Sequence, residues 1–406
     1  MLFQFNFYSA LLLISFSQGM IFSLLHLFKG LRSGQRAHYW MSLFLVLCCG
    51  YIAPWMLGFA GWYDQQPYRH VLFYVPFQHL FWMGPMVFFY TQSLLNPSFR
   101  FNAKAALHLL PGALYALGVF GMWAYDHWVV HQVYFYADGA DKDFDSWYQY
   151  SGLLSMVIYL VLSLRYYNTY RKLIIQVVSY ADSVLFQWVK TFLMAFLVML
   201  LLPLCFECMG VIWPEAKSYT GSWWYFLSFS AVMYYIAIAG YTHYDASPIA
   251  YQWSPRHAPV LLLPPYQGDL TAEHTIDIDH EAVHETPSID VDRWKNDIAQ
   301  LVESQQLYQK QTLNISEIAQ QLDTHVAVIS KAINLGFQMN FNDYINSYRI
   351  RAVQQLLQQG AHRHTTLLGL AYDCGFNSKA TFNRAFKKHT GVSPKDYINS
   401  LSEPLL

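Results

Sequence analysis

LLGLAYDCGFNSKATFNRAFKKH, residues 367–389, holds two helical runs parted by a turn. Leu367 to Cys374 has apolar residues at helical spacing, Gly375-Phe376-Asn377 breaks the run, and a second helix is expected from about Ser378 to His389. Phe382 and Phe386, four apart, would lie on one buried stripe of that helix. Ser378 or Asn377 can cap its N-terminus, and Gly391 supplies the stop.

The same pattern occurs upstream. Ile315 to Leu322 reads as a helix, Asp323-Thr324-His325 as a turn, and Val326 to Leu335 as a second helix with Ile329 and Ile333 facing inward. A long helix from Phe341 to Gln359 joins the two helix-turn-helix units and sets their separation. From His325 to Lys395 there are nine basic residues, Lys331, Arg349, Arg351, Arg363, Lys379, Arg384, Lys387, Lys388 and Lys395, against Asp343 and Asp373. Placed on the outer faces of a repeated helix-turn-helix, that excess is what attraction to phosphate needs.

Residues 313–397 resemble the DNA-binding domain of the AraC/XylS family of bacterial transcription regulators. The resemblance is carried by Ala371-Tyr372-Asp373-Cys374-Gly375-Phe376-Asn377-Ser378, then Phe382-Asn383-Arg384-Ala385-Phe386-Lys387-Lys388, Gly391, Pro394 and Tyr397. A helix near Val291–Tyr308 would complete the domain. The segment Asn340-Phe341-Asn342-Asp343-Tyr344-Ile345-Asn346-Ser347-Tyr348-Arg349 is similar to a subgroup with a seven-helix membrane domain in front. The resemblance implies that Ala327, Ser330 and Lys331 of the first recognition helix, and Lys379, Ala380, Thr381, Asn383 and Arg384 of the second, face the major groove. Arg384 or Lys379 would donate to guanine O6 and N7, Asn383 would pair with adenine, and Thr381 or Ala380 would touch a thymine methyl. Lys387, Lys388 and Ser378 suit phosphates, which position without reading sequence. It further implies double-stranded promoter DNA and RNA polymerase as partners. The first unit departs from the family pattern, with Asp323 where a turn glycine is common and His325 where a capping serine is common, so Thr324 is expected to cap instead.

In front of this module the composition changes. Residues 1–245 hold 59 aromatic and 22 charged residues, whereas 246–406 hold 14 and 29. A single large soluble core is thereby excluded for the first part. Seven apolar stretches there approach the roughly 20 residues that cross a bilayer: 7–28, 38–60, 71–95, 106–125, 148–167, 190–212 and 223–241. One set of loops carries nine basic residues (Lys29, Arg32, Arg36, Arg100, Lys104, Arg165, Arg171, Lys172, Lys190) and the opposite set three (Arg69, Lys142, Lys217). The richer side is the cytoplasmic one, so the N-terminus is expected outside and the chain after Tyr241 inside, in a bacterial inner membrane. The stretch from Arg165 to Lys190 reads as an interfacial amphipathic helix with Trp188 at headgroup level.

Few groups at membrane depth suggest chemistry. Glu207 in span six is the candidate for intramembrane coupling. His26 and His79 read as packed polar residues rather than metal or haem ligands, and span seven lacks the lysine a retinal pump needs. Trp55, Trp62, Trp123, Trp128 and Trp147 read as an interfacial belt, the competing reading being a cavity for an apolar ligand. Cys48, Cys49, Cys205, Cys208 and Cys374 offer no disulfide framework. No nucleophile–base pair, metal cluster or phosphate loop is visible, so no catalytic residue and no cofactor are expected.

Residues 246–290 form a linker rich in proline and then in acids: Asp269 to Asp290 contains seven acidic residues and no lysine or arginine. His274, His280 and His284 within it read as part of a solvated spacer rather than a metal site. The expectation is therefore an all-α protein: a seven-helix membrane domain over 1–245, a linker over 246–290, and a cytoplasmic DNA-binding domain over 291–406 with helix-turn-helix units near 315–335 and 367–389. Its function would be transcription regulation driven by an unknown small-molecule or peptide signal, with a homodimer favoured by paired sites. The alternatives are a transporter or membrane enzyme with an accessory DNA-binding module, and a regulator whose membrane domain only anchors.

Overall fold

The computed structural model describes residues 5–66, 68–96, 99–180, 184–242, 250–254, 257–262, 275–276 and 290–402. The chain divides into two compact units, one of residues 1–167 and 188–246, the other of 168–187 and 247–406.

The first unit is built from α1 (Phe7–Ser33), α2 (Ala37–Phe59), α3 (Tyr68–Phe73), α4 (Leu80–Leu95), α5 (Ala103–Ala106), α6 (Leu110–Tyr125), α7 (Ser146–Ile174, whose last residues belong to the second unit), α8 (Val184–Ile212) and α9 (Tyr219–Thr242). Among the described residues six helical stretches are long and apolar enough to cross a membrane: α1, α2, α5 with α6 running on to Val130, α7, α8 from Gln187, and α9. The expected span 71–95 is different. The chain leaves helix at Phe73 and re-enters it at Leu80, because Pro76 lacks an amide donor and biases Val75 away from helical geometry. The 16 residues of α4 rise only about 24 Å.

Helix α4 is buried along almost its whole length, every residue from Met83 to Leu95 being inaccessible. Its broken entry is covered in part: Val75 is exposed, but Gln78 and Leu80 are buried, and buried polar backbone must find partners. The Gln78 amide donates to Asp143 Oδ2 at 2.9 Å and the Leu80 amide to Tyr148 Oη at 3.2 Å, while the Tyr148 hydroxyl donates to the Gln78 carbonyl. Trp188, expected at headgroup level, is instead buried at 4% exposure and donates from Nε1 to Tyr90 Oη at 2.8 Å. His26 and His38 meet through their Nδ1 atoms at 3.0 Å, and His79 stacks on Trp82. The five cysteines are free.

The second unit contains α10 (Val291–Ser304), α11 (Ile315–Gln321), α12 (Val326–Gly336), α13 (Phe341–Gln358), α14 (Leu367–Asp373), α15 (Lys379–Thr390) and α16 (Pro394–Ser402). Three short antiparallel strands, β1 (Ala250–Ser254), β2 (His257–Leu262) and β3 (Thr275–Ile276), stand within the stretch read as an unstructured linker. The rest of that stretch, including His274, His280 and His284, lies outside the described residues. The interfacial helix expected across 165–190 is not formed. Helix α7 ends at Ile174, and residues 175–180 form turns inside the second unit, with one isolated β-bridge at Val178.

The loop between Val130 and Ser146 folds inward around carboxylates. Asp141 is 9% exposed, its Oδ1 accepts from the Asp143 amide at 3.0 Å, and its Oδ2 is buried without a partner. Burial, followed by the charge of Asp143, pushes its pKa up to about 7. A carboxyl whose pKa is raised by folding contributes stability that is full below the unfolded value and lost as pH rises through the folded one. Amides of residues 131–145 should accordingly be better protected from hydrogen exchange at pH 5 than at pH 8, after correction for intrinsic rates. Asp141→Asn should flatten the difference, and equal protection at both pH values would contradict this account of the loop.

Candidate nucleic-acid interface

The second helix-turn-helix is assembled around Phe376, Phe382 and Phe386, at 0%, 1% and 0% exposure, with Leu370, Ala371 and Cys374 from α14 and Ile350, Val353 and Leu357 from α13. Its turn depends on Gly375, at φ +92°, where an added Cβ would stand 2.2 Å from the Tyr308 carbonyl oxygen. Helix α15 starts and stops as its sequence indicates: Ser378 Oγ accepts from the Thr381 amide at 3.2 Å, and Gly391 closes the helix at φ +79°.

The first helix-turn-helix packs Ile315, Ile318, Ala319, Ile329 and Ile333 into a core, with α10 laid against α12 through Ile298 and Val302. Asn314 caps α11 in a reciprocal box with Glu317. Asp323 takes the turn at φ +48°, the left-handed conformation for which glycine is common. Thr324 does not cap α12, because the N-cap position is His325 and it makes no side-chain capping bond.

The residues expected to meet DNA separate into three groups. Ala327, Lys379, Ala380, Asn383, Arg384 and Lys387 are exposed, and Lys331 is half-buried. Two expected base readers are turned inward. Thr381 is 1% exposed, its hydroxyl 2.9 Å from that of Ser378, and Ser330 is 7% exposed. Helical geometry explains both: Thr381 precedes Phe382 and lies four residues before Ala385, and Ser330 follows Ile329, so each sits on the core side of its helix. Ser378 is occupied by capping, and Lys388 forms a 2.7 Å ion pair with Asp343 of α13. Among the described residues Lys379 and Lys387 form no ion pair, leaving their charge for an anionic partner.

Residues 318–400 match the protein-family model described as a helix-turn-helix domain. They form an AraC-type helix-turn-helix domain. No curated protein and no solved structure matches the chain. This domain is that of a DNA-binding regulator.

One residue of the AraC-type domain escaped the sequence reading. Arg349 was counted with the basic outer faces, but it is 1% exposed. Its Nε donates to Tyr308 O at 2.7 Å, Nη1 to Ser179 O at 3.0 Å and Asn346 Oδ1 at 3.2 Å, and Nη2 to Ser179 Oγ at 2.9 Å and Lys310 O at 2.8 Å. A guanidinium has five N–H donors, and here all five are used. Burial lowers its pKa to about 10, so it stays charged at neutral pH. The signal was present in the spacing, since Phe341, Ile345, Arg349, Val353 and Leu357 form one stripe of α13 with a period of four and all are buried.

Within the first unit, Glu207 is exposed and pairs with Lys217 at 2.6 Å. Both line a cavity of about 510 Å³ whose wall includes Tyr51, Trp55, Gln78 and Phe229. Trp55 thus lines a cavity, whereas Trp128 and Trp147 are exposed.

Two substitutions check this assignment of roles. Gly375→Ala should destabilise the AraC-type domain by about 3 kcal/mol or more, combining a strained φ with a backbone clash, as read by thermal melting. Thr381→Val should lower stability by about 1 kcal/mol through loss of the cap partner yet leave base preference intact. A changed sequence preference would show that Thr381 reaches DNA.

Proposed function

We propose that the protein is a membrane-embedded transcription regulator whose apolar helices hold, and report to, an AraC-type domain that binds promoter DNA at the cytoplasmic face. The observation that carries this reading is helix α15, which buries Phe382 and Phe386 while presenting Lys379, Asn383, Arg384 and Lys387 outward. Arg384 and Asn383 have the chemistry for guanine and adenine edges, and Lys379 and Lys387 that for guanine or phosphate. Helix α13, with 18 residues rising about 27 Å, spaces the two recognition helices for successive stretches of one groove.

The membrane part of the proposal rests on the six apolar helices and the loop charges. Residues 68–95 would make the seventh crossing as a discontinuous helix buried by its neighbours, which keeps the nine basic loop residues on the side of the AraC-type domain. The cavity beside Trp55, with the Glu207–Lys217 pair at its wall, supports sensing over mere anchorage. Its size suits a small ligand with an apolar body. Contact with RNA polymerase and pairing of two copies on DNA belong to the same proposal.

Full-length protein in lipid nanodiscs should bind promoter DNA with a steep salt dependence. Arg384→Ala should weaken binding by about 1–3 kcal/mol and relax preference at one base position, and Lys387→Ala should weaken all sequences alike while reducing the salt slope by about one. Failure to bind DNA at low salt would overturn the reading.

A further inference from the structure

Ile175 to Ser179 belong by sequence to the short connection between helices α7 and α8, yet they fold as part of the second unit. Val177, Val178 and Ser179 are 0%, 1% and 0% exposed. Val178 forms an antiparallel bridge with Asn314, the residue that caps α11. The Ser179 amide donates to Leu313 O at 3.1 Å, the Ile315 amide to Val177 O at 2.9 Å, and the Asn342 amide to Ile175 O at 3.1 Å. Side chains reinforce the backbone pairing. Asn342 Nδ2 donates to Val178 O at 3.3 Å, Ser179 Oγ donates to Leu313 O at 2.9 Å, and Arg349 spends two donors on Ser179.

We propose that this connection is an intramolecular segment that completes the DNA-binding unit, and that its docking holds α11 and α13 in the arrangement in which the recognition helices read DNA. The occupant of the docking groove is committed: it is residues 175–179, tied by the chain to α7 and α8. Movement of those two helices then reaches the DNA reader through this segment, without passing along the linker that precedes α10. Without the docked segment, Arg349 would keep a buried charge with two donors unmet, and the Ile315 and Asn342 amides would lose their partners. Burial, followed by the like charge of Arg171 near the end of α7, holds Arg384 below the ordinary arginine pKa.

The proposal rests on the DNA-binding reading for its consequence but not for the docking itself, and two readouts separate them. Full-length protein in nanodiscs is examined by hydrogen exchange and by promoter-DNA titration, as wild type, Ser179→Pro and Ser179→Ala. In the wild type the Ser179, Ile315 and Asn342 amides are expected to be protected. Ser179→Pro should raise exchange at Ile315 and Asn342 by about tenfold or more and weaken DNA binding by about tenfold, while amides of Phe382 and Phe386 stay protected and report an intact α15. Ser179→Ala, which keeps the backbone amide, should give a smaller change in the same direction. Unprotected amides in the wild type would overturn the docking, and loss of protection in Ser179→Pro with unchanged DNA affinity would overturn the coupling. Wild-type protein that shows protection but ignores DNA would sink the regulator reading and leave the docking standing.

Discussion

A single buried guanidinium organises the second unit. Arg349 ties the chain before α11, through Tyr308 and Lys310, to Ser179 in the connection after α7 and to Asn346 of its own helix, and its guanidinium also lies 5.8 Å from the centre of the Phe376 ring in the second turn. An arginine without a carboxylate partner is costly to bury unless every donor is met. Four of the five acceptors are backbone carbonyls or a hydroxyl, whose positions are set by the fold rather than by flexible side chains. Each of the surrounding segments therefore holds the others in register.

The first unit, rich in apolar helices, solves a related problem by other means. Where Pro76 stops the helix, the buried amides of Gln78 and Leu80 are met by Asp143 and Tyr148, which arrive from far along the chain. A break at that depth is tolerated because the surrounding helices and an inward-folded loop supply donors and acceptors that lipid cannot. Asp143, which is so used, and its neighbour Asp141 carry the cost of burial, which raises the carboxyl pKa of both.

Much of the architecture was readable from residue spacing. The caps at Ser378 and Gly391, the Phe382–Phe386 stripe and the division of composition near residue 245 are local features, and local features are what periodicity reports. Two kinds of feature were not readable. The inward positions of Thr381 and Ser330 depend on helix phase relative to a core, which family position alone does not supply. The docking of residues 175–179 depends on a contact with Leu313 more than 130 residues away, and a short apolar run flanked by tyrosines and arginines looks the same whether lipid or protein covers it. Arg349 lies between these cases, since its stripe was visible but its charge argued for the surface.

The central claim is that a loop between membrane helices is a structural part of the DNA reader. A structure of the full chain in a lipid nanodisc with promoter DNA bound, determined by electron cryomicroscopy with side chains resolved at Arg349, tests it most directly. The account predicts Ser179 within hydrogen-bonding distance of the Arg349 guanidinium and Arg384 at a base edge in the major groove. Arg349 donating elsewhere, with residues 175–179 detached from Leu313 while DNA is held, would contradict it.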